Sequence, residues 1–343
     1  MHEVSEKYDN ATSQTHGRGL VLCSGGLDSS LAVAILRAQR LHVEGLVFSS
    51  PFFSPDRALR AGESLKIKMH VLDFEKKIIA LVQSPPHGHG AHLNPCVDCH
   101  LTMIKLAGEL MENSGYDFVA TGEVLGQRPM SQNRKALDIV ARGSGYGDRV
   151  IRPLSAQLLE PTLPETQGVV DRSKLLAISG RSRKQQVALA KHYNIINYPA
   201  PAGGCLLTDE GFCRRLSDLM KHEGFDDSRL LKLLRLGRHF RLPGGSKCIV
   251  GRNYEDNKRI QAIAISSDIM LSPAVIPGPN VLIPNSVKSV EDLNMAVQLC
   301  AAYSDCSAEN SHTIDINISR VNEATNCSSI NQVDRKEFAI FML

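Results

Sequence analysis

The chain has 343 residues, of which 43% are hydrophobic and 22% are charged, with a formal net charge of +3. This composition is ordinary for a soluble globular protein with room for two domains. It excludes a membrane-spanning chain, because no apolar run approaches the roughly 20 residues that cross a bilayer. The mild positive charge tolerates a polyanionic partner without requiring one.

Residues 1–18 are predicted to form a polar tail. They are not predicted to be a signal peptide, because they lack its basic segment followed by an apolar segment. Nine cysteines without an export signal predict a cytoplasmic protein with reduced thiols. In that compartment, close cysteine spacings indicate metal or redox chemistry before disulfides.

From Gly19 to about Leu154, apolar strand-like runs alternate with helical patterns, and one further helix follows. The predicted strands are 19–23, 42–50, 69–74, 117–123 and 150–154, and the predicted helices are 31–40, 56–67, 75–82, 96–115 and 180–195. Such alternation predicts βαβ units and a parallel sheet with helices on both faces. We therefore predict an α/β domain over residues 19–209.

The pattern changes at about Glu210, where we predict a small α+β domain over residues 210–343. Its predicted helices are 212–224, 227–240 and 290–304, with strand-like pieces in 242–253 and 276–284 and an edge strand in 311–322. A polar stretch near 304–332 is rich in Ser, Asn and Asp.

The sequence SGGLDSS, residues 24–30, lies between a predicted strand and a predicted helix. Gly25 and Gly26 can adopt positive φ and let the backbone approach a ligand closely. The helix that opens at Asp28 offers unpaired N–H groups to an anion. A phosphate site is the functional interpretation, although no Walker lysine follows. The alternative is an ordinary β-to-α turn with a serine N-cap.

Three motifs resemble a known family. SGGLDSS after an apolar strand resembles the PP-loop of the N-type ATP pyrophosphatases, ATGEVLGQRPMSQ resembles the 4-thiouridine synthetases, and AGGCLLTD resembles the 2-thiouridylases. The resemblance implies a PP-loop ATP pyrophosphatase fold, similar to the adenine nucleotide alpha hydrolases. It also implies an ATP-dependent tRNA sulfurtransferase, which adenylates a uridine carbonyl oxygen and then replaces AMP with sulfur.

The same resemblance implies the site residues, the cofactors and the partners. ATP and Mg²⁺ are implied, with ATP contacts from Ser24, Gly25, Gly26, Asp28, Ser29, Phe48 and Gly122. Asp28 is also implied to be catalytic. The implied partners are tRNA and a sulfur donor, either sulfide or a persulfide-carrying desulfurase, and a homodimer is left open.

Cys96, Cys99 and Cys205 allow three interpretations. They could hold a [4Fe–4S] cluster, which the Cys-x-x-Cys spacing and a lone third cysteine favour, and Cys99 and Cys205 would then be catalytic. Two of them could instead carry persulfide and disulfide chemistry. A structural zinc ion could recruit one of the histidines His87, His89, His92 and His100. Cys23 is expected in the core. The remaining cysteines, Cys213, Cys248, Cys300, Cys306 and Cys327, are expected to be packing or surface thiols.

Basic residues form two groups that are candidates for phosphate contacts with RNA, although charged faces are usually only solvated. The predicted RNA-binding residues are Arg181, Arg183, Lys184, Arg235 and Arg238. GRHFRL followed by GRNYEDN resembles the NFACT RNA-binding domain, over about residues 235–303.

The chain also differs from the families that it resembles. No counterpart of the N-terminal RNA-binding module or C-terminal rhodanese of the longer 4-thiouridine synthetases is recognisable, so the target nucleoside and the donor stay open. Glu123 replaces a histidine that is common in 2-thiouridylases, which favours the 4-thiouridine type. Two alternatives are a PP-loop ligase acting on a small molecule and a non-catalytic RNA-binding protein with a vestigial nucleotide site.

Overall fold

The computed structural model describes residues 17–199, 205–305, 313–320 and 325–343. The chain divides into two compact units, Met1–Cys205 and Leu206–Leu343. Most of the predicted polar tail, the glycine pair at 203–204 and Cys306 lie outside the described residues, so their predictions stay predictions.

The first unit alternates strands and helices. Its strands are β1 (Arg18–Leu22), β2 (His42–Ser49), β3 (Met69–Asp73), β4 (Phe118–Thr121) and β5 (Val150–Ile151). Its helices are α1 (Leu27–Ala38), α2 (Asp56–Leu65), α3 (Glu75–Gln83), α4 (Cys96–Ser114), α5 (Arg134–Ser144), α6 (Leu163–Thr166) and α7 (Lys184–His192). The sequence analysis did not predict α5.

The five strands form one parallel sheet in the order β3-β2-β1-β4-β5, which confirms the predicted α/β fold. Leu20 and Val21 of β1 are fully buried, and Val21 shares a core with Leu31 and other apolar residues of α1. β1 is the central strand because the chain passes to β2 on one side and to β4 on the other. In open parallel sheets, ligands bind in the crevice at the carboxyl ends of the strands where the order reverses. The loops that follow β1 and β4 lie at that crevice.

The second unit is an antiparallel sheet with helices, which confirms the predicted α+β class. Its helices are α8 (Glu210–His222), α9 (Ser228–Leu233), α10 (Tyr254–Ile263) and α11 (Val290–Ala302). Its strands are β6 (Arg238–Arg241), β7 (Lys247–Val250), β8 (Ile269–Pro273), β9 (Val281–Ile283), β10 (Thr313–Arg320) and β11 (Asn326–Asn331). The strand order is β11-β10-β8-β9-β7-β6.

Two predictions for this unit are wrong. The helix expected over 227–240 ends at Leu233, and β6 begins at Arg238 because Phe240 is buried in the sheet and pairs with Cys248. The segment expected as an edge strand, β10, lies between β8 and β11. β11 comes from the Ser- and Asn-rich stretch, which carries too little apolar alternation to be predicted as a strand. None of the helices in the described ranges is long and apolar enough to cross a membrane.

Candidate functional site

The glycine loop after β1 contains two glycines with different roles. Gly25 has φ = +73°, and a Cβ there would lie 2.5 Å from the backbone carbonyl oxygen of Arg57. The fold itself therefore requires glycine at this position. Gly26 has an ordinary extended conformation, and the nearest atom to a Cβ would be Ser24 Oγ, at 3.4 Å. Packing within the chain therefore does not explain why residue 26 is a glycine.

The serines of the loop support its backbone. Gly26 is the N-cap of α1 and has no side-chain cap, so the serine N-cap of the alternative interpretation is not present. Instead, the hydroxyls of Ser29 and Ser30 donate to the carbonyl oxygen of Gly26, at 2.9 and 3.1 Å. The amides of the first turn of an α-helix lack intrahelical acceptors. This turn of α1 can therefore bind an anion.

Gly122, the residue after β4, packs directly against the first turn of α1. A Cβ at Gly122 would lie 2.5 Å from the backbone nitrogen of Ser29, so only glycine lets the two segments approach. Phe48, near the end of β2, is buried, and its ring packs edge-on against Phe74 with centroids 5.3 Å apart. Their implied ATP contacts stay predictions.

Asp28 is held by a chain of side-chain amides. Gln127 Nε2 donates to Asp28 Oδ2 at 2.8 Å, and Gln186 Nε2 donates to Gln127 Oε1 at 2.9 Å. On the other side, Arg183 Nη2 lies 3.6 Å from Asp28 Oδ1. The carboxylate of Asp28 therefore has a fixed orientation beside the glycine loop.

Three buried polar atoms around Asp28 have no hydrogen-bond partner within the described part of the chain. They are Asp28 Oδ1, Arg183 Nε and Gln186 Oε1. Buried polar groups are normally satisfied, and each exception calls for an explanation. A bound group that offers both an anionic oxygen and a cation or donor would satisfy all three. Mg²⁺ with a polyphosphate has that chemistry, because Mg²⁺ prefers carboxylate and phosphate oxygens.

Two members of this group were not predicted from the sequence, and a third was predicted to have another role. Gln127 lies in the LGQ part of a motif that was noted, and Gln186 follows GRSRK, so both had a signal. Arg183 was predicted to contact RNA. Its position beside Asp28 is set by packing between α7 and α1, which sequence spacing does not reveal.

The three candidate cysteines lie in one neighbourhood. Cys96 is the first residue of α4, Cys99 follows within the first turn, and the Cys205 thiol lies 3.9 Å from the carbonyl oxygen of Phe52. Burial raises the pKa of the Cys99 thiol well above its usual range, and the nearby Cys205 and Cys96 raise it further. In the ranges that the structure describes, no three His, Cys, Asp or Glu side chains already converge in a metal-binding arrangement.

Cys96 differs from Cys99 because it contacts a group of buried, hydrogen-bonded charged side chains. Arg152 Nε and His100 Nδ1 donate to the two carboxylate oxygens of Glu123, each at 2.9 Å, and His100 also hydrogen-bonds Cys96. Burial raises the pKa of Glu123, but Arg152 and His100 outweigh burial and lower it to about 2. Burial lowers the pKa of His100, but its bonds with Cys96 and Glu123 raise it to about 10.

These surroundings favour the thiolate form of Cys96. Burial raises the pKa of this thiol, but hydrogen bonds with His100 and Ser131 and the charges of His100 and Arg128 outweigh burial and lower the pKa. The histidines proposed for zinc have other contacts. His87 Nδ1 donates to Asp98 at 2.6 Å, and His89 Nε2 lies 3.0 Å from the carbonyl oxygen of Val82.

We expect Cys96 of the metal-free protein to react with iodoacetamide at a lower pH than an ordinary cysteine thiol does. The thiolate is the reactive form, so a lowered pKa keeps Cys96 reactive as the pH falls. His100→Gln should raise the midpoint of the Cys96 profile, because it removes a cation and a donor, and each pKa unit changes the thiolate fraction about tenfold. Mass spectrometry of the alkylated peptides over a pH series measures both midpoints. Equal midpoints in wild type and variant would show that His100 does not stabilise the thiolate.

Comparison with protein families matches two segments of the chain. Residues 14–157 match the family described as thiamine biosynthesis protein (ThiI), and residues 237–342 match the NFACT protein RNA binding domain. This chain resembles the PP-loop tRNA thiolation enzymes, with an NFACT-like C-terminal segment. The likeness predicted from the motifs is thereby confirmed.

Curated relatives match part of the chain. A probable tRNA sulfurtransferase of Geobacillus thermodenitrificans is 27% identical over 149 residues, which are 41% of this chain and 35% of that protein. A tRNA-specific 2-thiouridylase of Sulfurimonas denitrificans is 33% identical over 116 residues, which are 30% of this chain and 33% of that protein. The chain thus spans about a third of the length of these relatives.

Solved structures resemble the chain more distantly. A 4-thiouridine synthetase in complex with RNA and ATP is 18% identical, with a TM-score of 0.34 and 52% of each chain covered. The C-terminal part of a fibronectin/fibrinogen-binding protein from Streptococcus suis is 10% identical, with a TM-score of 0.28 and coverage of 78% of this chain and 97% of the other.

The other predicted RNA-binding residues lie in different surroundings. Arg181 and Lys184 are exposed. Arg238, on β6, lies over the ring of Tyr303, with 4.9 Å from the guanidinium carbon to the ring centroid. The carbonyl oxygen of Arg235 accepts a hydrogen bond from Arg252.

Proposed function

We propose that the chain is an ATP-dependent tRNA sulfurtransferase. The observation that carries the proposal is the group of buried polar atoms around Asp28 that have no hydrogen bond within the described part of the chain, beside a glycine loop that packing leaves open at Gly26. The uridine carbonyl oxygen attacks the α-phosphorus of ATP, and pyrophosphate leaves. A sulfur nucleophile then attacks the activated carbon, and AMP leaves with the original oxygen, so that C=O becomes C=S.

The residues of the glycine loop have distinct roles in this proposal. The open space at Gly26 admits the β,γ-phosphates to the amides of the first turn of α1. Arg183 donates its unpartnered Nε to a phosphate oxygen, and Asp28 offers Oδ1 to Mg²⁺. Mg²⁺, when bound, neutralises charge that develops on the leaving pyrophosphate. The amides of Gln127 and Gln186 keep Asp28 in place. Arg183 is therefore proposed for ATP and not for RNA.

The thiols are proposed to deliver the sulfur, and two contacts link them to the loop. Gly122 abuts Ser29 of α1, and the next residue, Glu123, holds the histidine that hydrogen-bonds Cys96. A small-molecule ligase of this type needs no such thiols, so this link favours sulfur transfer.

Cys96, Cys99 and Cys205 are proposed to hold a [4Fe–4S] cluster. Their donor chemistry supports this, because three thiols share one neighbourhood and the surroundings of Cys96 lower the pKa of its thiol. When bound, a three-cysteine cluster supplies an iron with a free position for sulfide. Cys99 and Cys205 are proposed as catalytic thiols, and His100 is proposed to favour the thiolate of Cys96.

The proposed tRNA contacts come from both units. Arg181, Lys184, Arg235 and Arg238 are proposed to contact phosphates, which positions RNA without reading its bases. The match to the NFACT protein RNA binding domain supports RNA as the partner of the second unit.

Deleting the gene should remove one thiolated uridine from the tRNA of the deletion strain. Mass spectrometry of the tRNA nucleosides then identifies the base, 2-thio or 4-thio. The wild-type gene should restore it, and an Asp28→Asn variant expressed to the same level should not. An unchanged nucleoside profile would contradict the proposed function.

A further inference from the structure

Arginines of the second unit gather at the end of α9. Arg215 Nε donates to the carbonyl oxygen of Leu234 at 3.1 Å, and Arg252 Nη2 donates to that of Arg235 at 3.2 Å. Because these are successive carbonyls, the two guanidinium groups lie near each other. Arg214 adds an exposed guanidinium from the same helix as Arg215.

The electrostatics agree with this geometry. Burial lowers the pKa of Arg215, and the charges of Arg252 and Arg214 lower it further, whereas Asp209 acts in the opposite direction. Arg252 also pairs with Asp256, at 2.6 Å, which fixes its guanidinium. Holding like charges together costs free energy in the folded protein, and a bound polyanion recovers that cost.

An exposed aromatic ring follows Arg252 closely in the chain. Tyr254, two residues after Arg252 and at the start of α10, has 80% of its surface exposed. Lys258 is exposed one turn later on the same face of α10. Exposed aromatic rings next to cations are the stacking platforms on which RNA-binding proteins hold unpaired bases.

We propose that Arg214, Arg215, Arg252, Tyr254 and Lys258 form an arginine–tyrosine face that binds RNA, with phosphates on the cations and an unpaired base stacked on Tyr254. The proposal rests on the proposed function, which supplies tRNA as the partner. Guanidinium forks match phosphate oxygens in pairs, and a flat ring suits a base better than it suits an acidic side chain. Arg214 and Arg215 precede residue 237, where the match to the NFACT domain begins, so the face extends beyond that match.

Binding of unmodified tRNA to the full chain, measured over a salt series, tests the face. Arg214→Gln and Lys258→Gln should each weaken binding and reduce the slope of log K against log salt by about 0.7–0.9. Tyr254→Ala should weaken binding roughly 5- to 150-fold, and Tyr254→Phe should bind as wild type does, because the ring alone stacks. Lys336→Gln, at an exposed lysine near the end of the chain, is the matched control for loss of a charge and should keep the wild-type slope. Thermal unfolding checks that each variant is folded.

Three results would overturn the proposal. The first is a slope unchanged in Arg214→Gln and Lys258→Gln, and the second is equal binding by Tyr254→Ala and wild type. The third is polyglutamate that competes with tRNA as well as unlabelled tRNA does, which would assign the face to an acidic protein. A different result would contradict the proposed function, namely that the wild-type protein releases no pyrophosphate from ATP in the presence of tRNA.

Discussion

Asp28→Asn should abolish tRNA-dependent release of pyrophosphate from ATP while the protein remains folded. The substitution keeps the shape of the side chain and the acceptor for Gln127, but it removes the charge that we assign to Mg²⁺. Arg183→Gln should lower the same rate by about 10²–10³-fold, because it removes a preorganised donor from a site of developing charge. A coupled assay of pyrophosphate in the presence of tRNA measures both rates. A wild-type rate in either variant would show that the substituted residue does not have the role assigned to it in the ATP site.

Gly25 and Gly26 provide a matched pair for the same site. Gly26→Ala should fold normally, since its Cβ would meet only Ser24 Oγ, at 3.4 Å, yet its methyl group would occupy the space assigned to phosphate. Gly25→Ala should lower the thermal unfolding temperature, because it forces a positive φ that costs about 1–2 kcal/mol and brings Cβ against the backbone of Arg57. Thermal unfolding and ATP binding, measured on both variants, separate the two effects. Normal ATP binding by Gly26→Ala would contradict the proposed phosphate position.

Protein purified without oxygen should be brown and contain iron and acid-labile sulfide in near-stoichiometric amounts. Changing any one of Cys96, Cys99 and Cys205 to Ala should bleach the protein and stop thiolation, because too few thiolates then remain to hold the cluster. Adenylation should survive, since ATP is assigned to the glycine loop and none of the three thiols belongs to that loop. Cys327→Ala, at an exposed thiol, is the matched control and should retain both iron and activity.

The alternatives predict different results in the same measurement. Persulfide chemistry predicts a colourless, active enzyme in which one member of the Cys-x-x-Cys pair is dispensable, and the thiolate at Cys96 would then be the member that is needed. Zinc predicts a colourless protein with one equivalent of metal and no labile sulfide. A colourless, iron-free and active preparation would remove the cluster from the mechanism.

The sequence by itself determined the features that depend on neighbouring residues. Alternating strand and helix patterns predicted the parallel sheet, and SGGLDSS predicted the loop between β1 and α1. The Cys-x-x-Cys pair was predicted at a helix start, and α4 does begin at Cys96. Such signals are readable because backbone geometry and periodicity are set over a few residues.

Only the tertiary structure decided which residues complete the site. Gln127 is 99 positions from Asp28, and Arg183 is further still, so packing of distant segments, and not spacing, brings them together. The same cause gives different contacts to Arg183 and Arg238, two basic residues that look alike in sequence: the first lies beside Asp28 and the second over the ring of Tyr303. It also pairs β10 with β8 and places Glu123 between Arg152 and His100. A contact between distant segments depends on the whole fold, which no local pattern encodes.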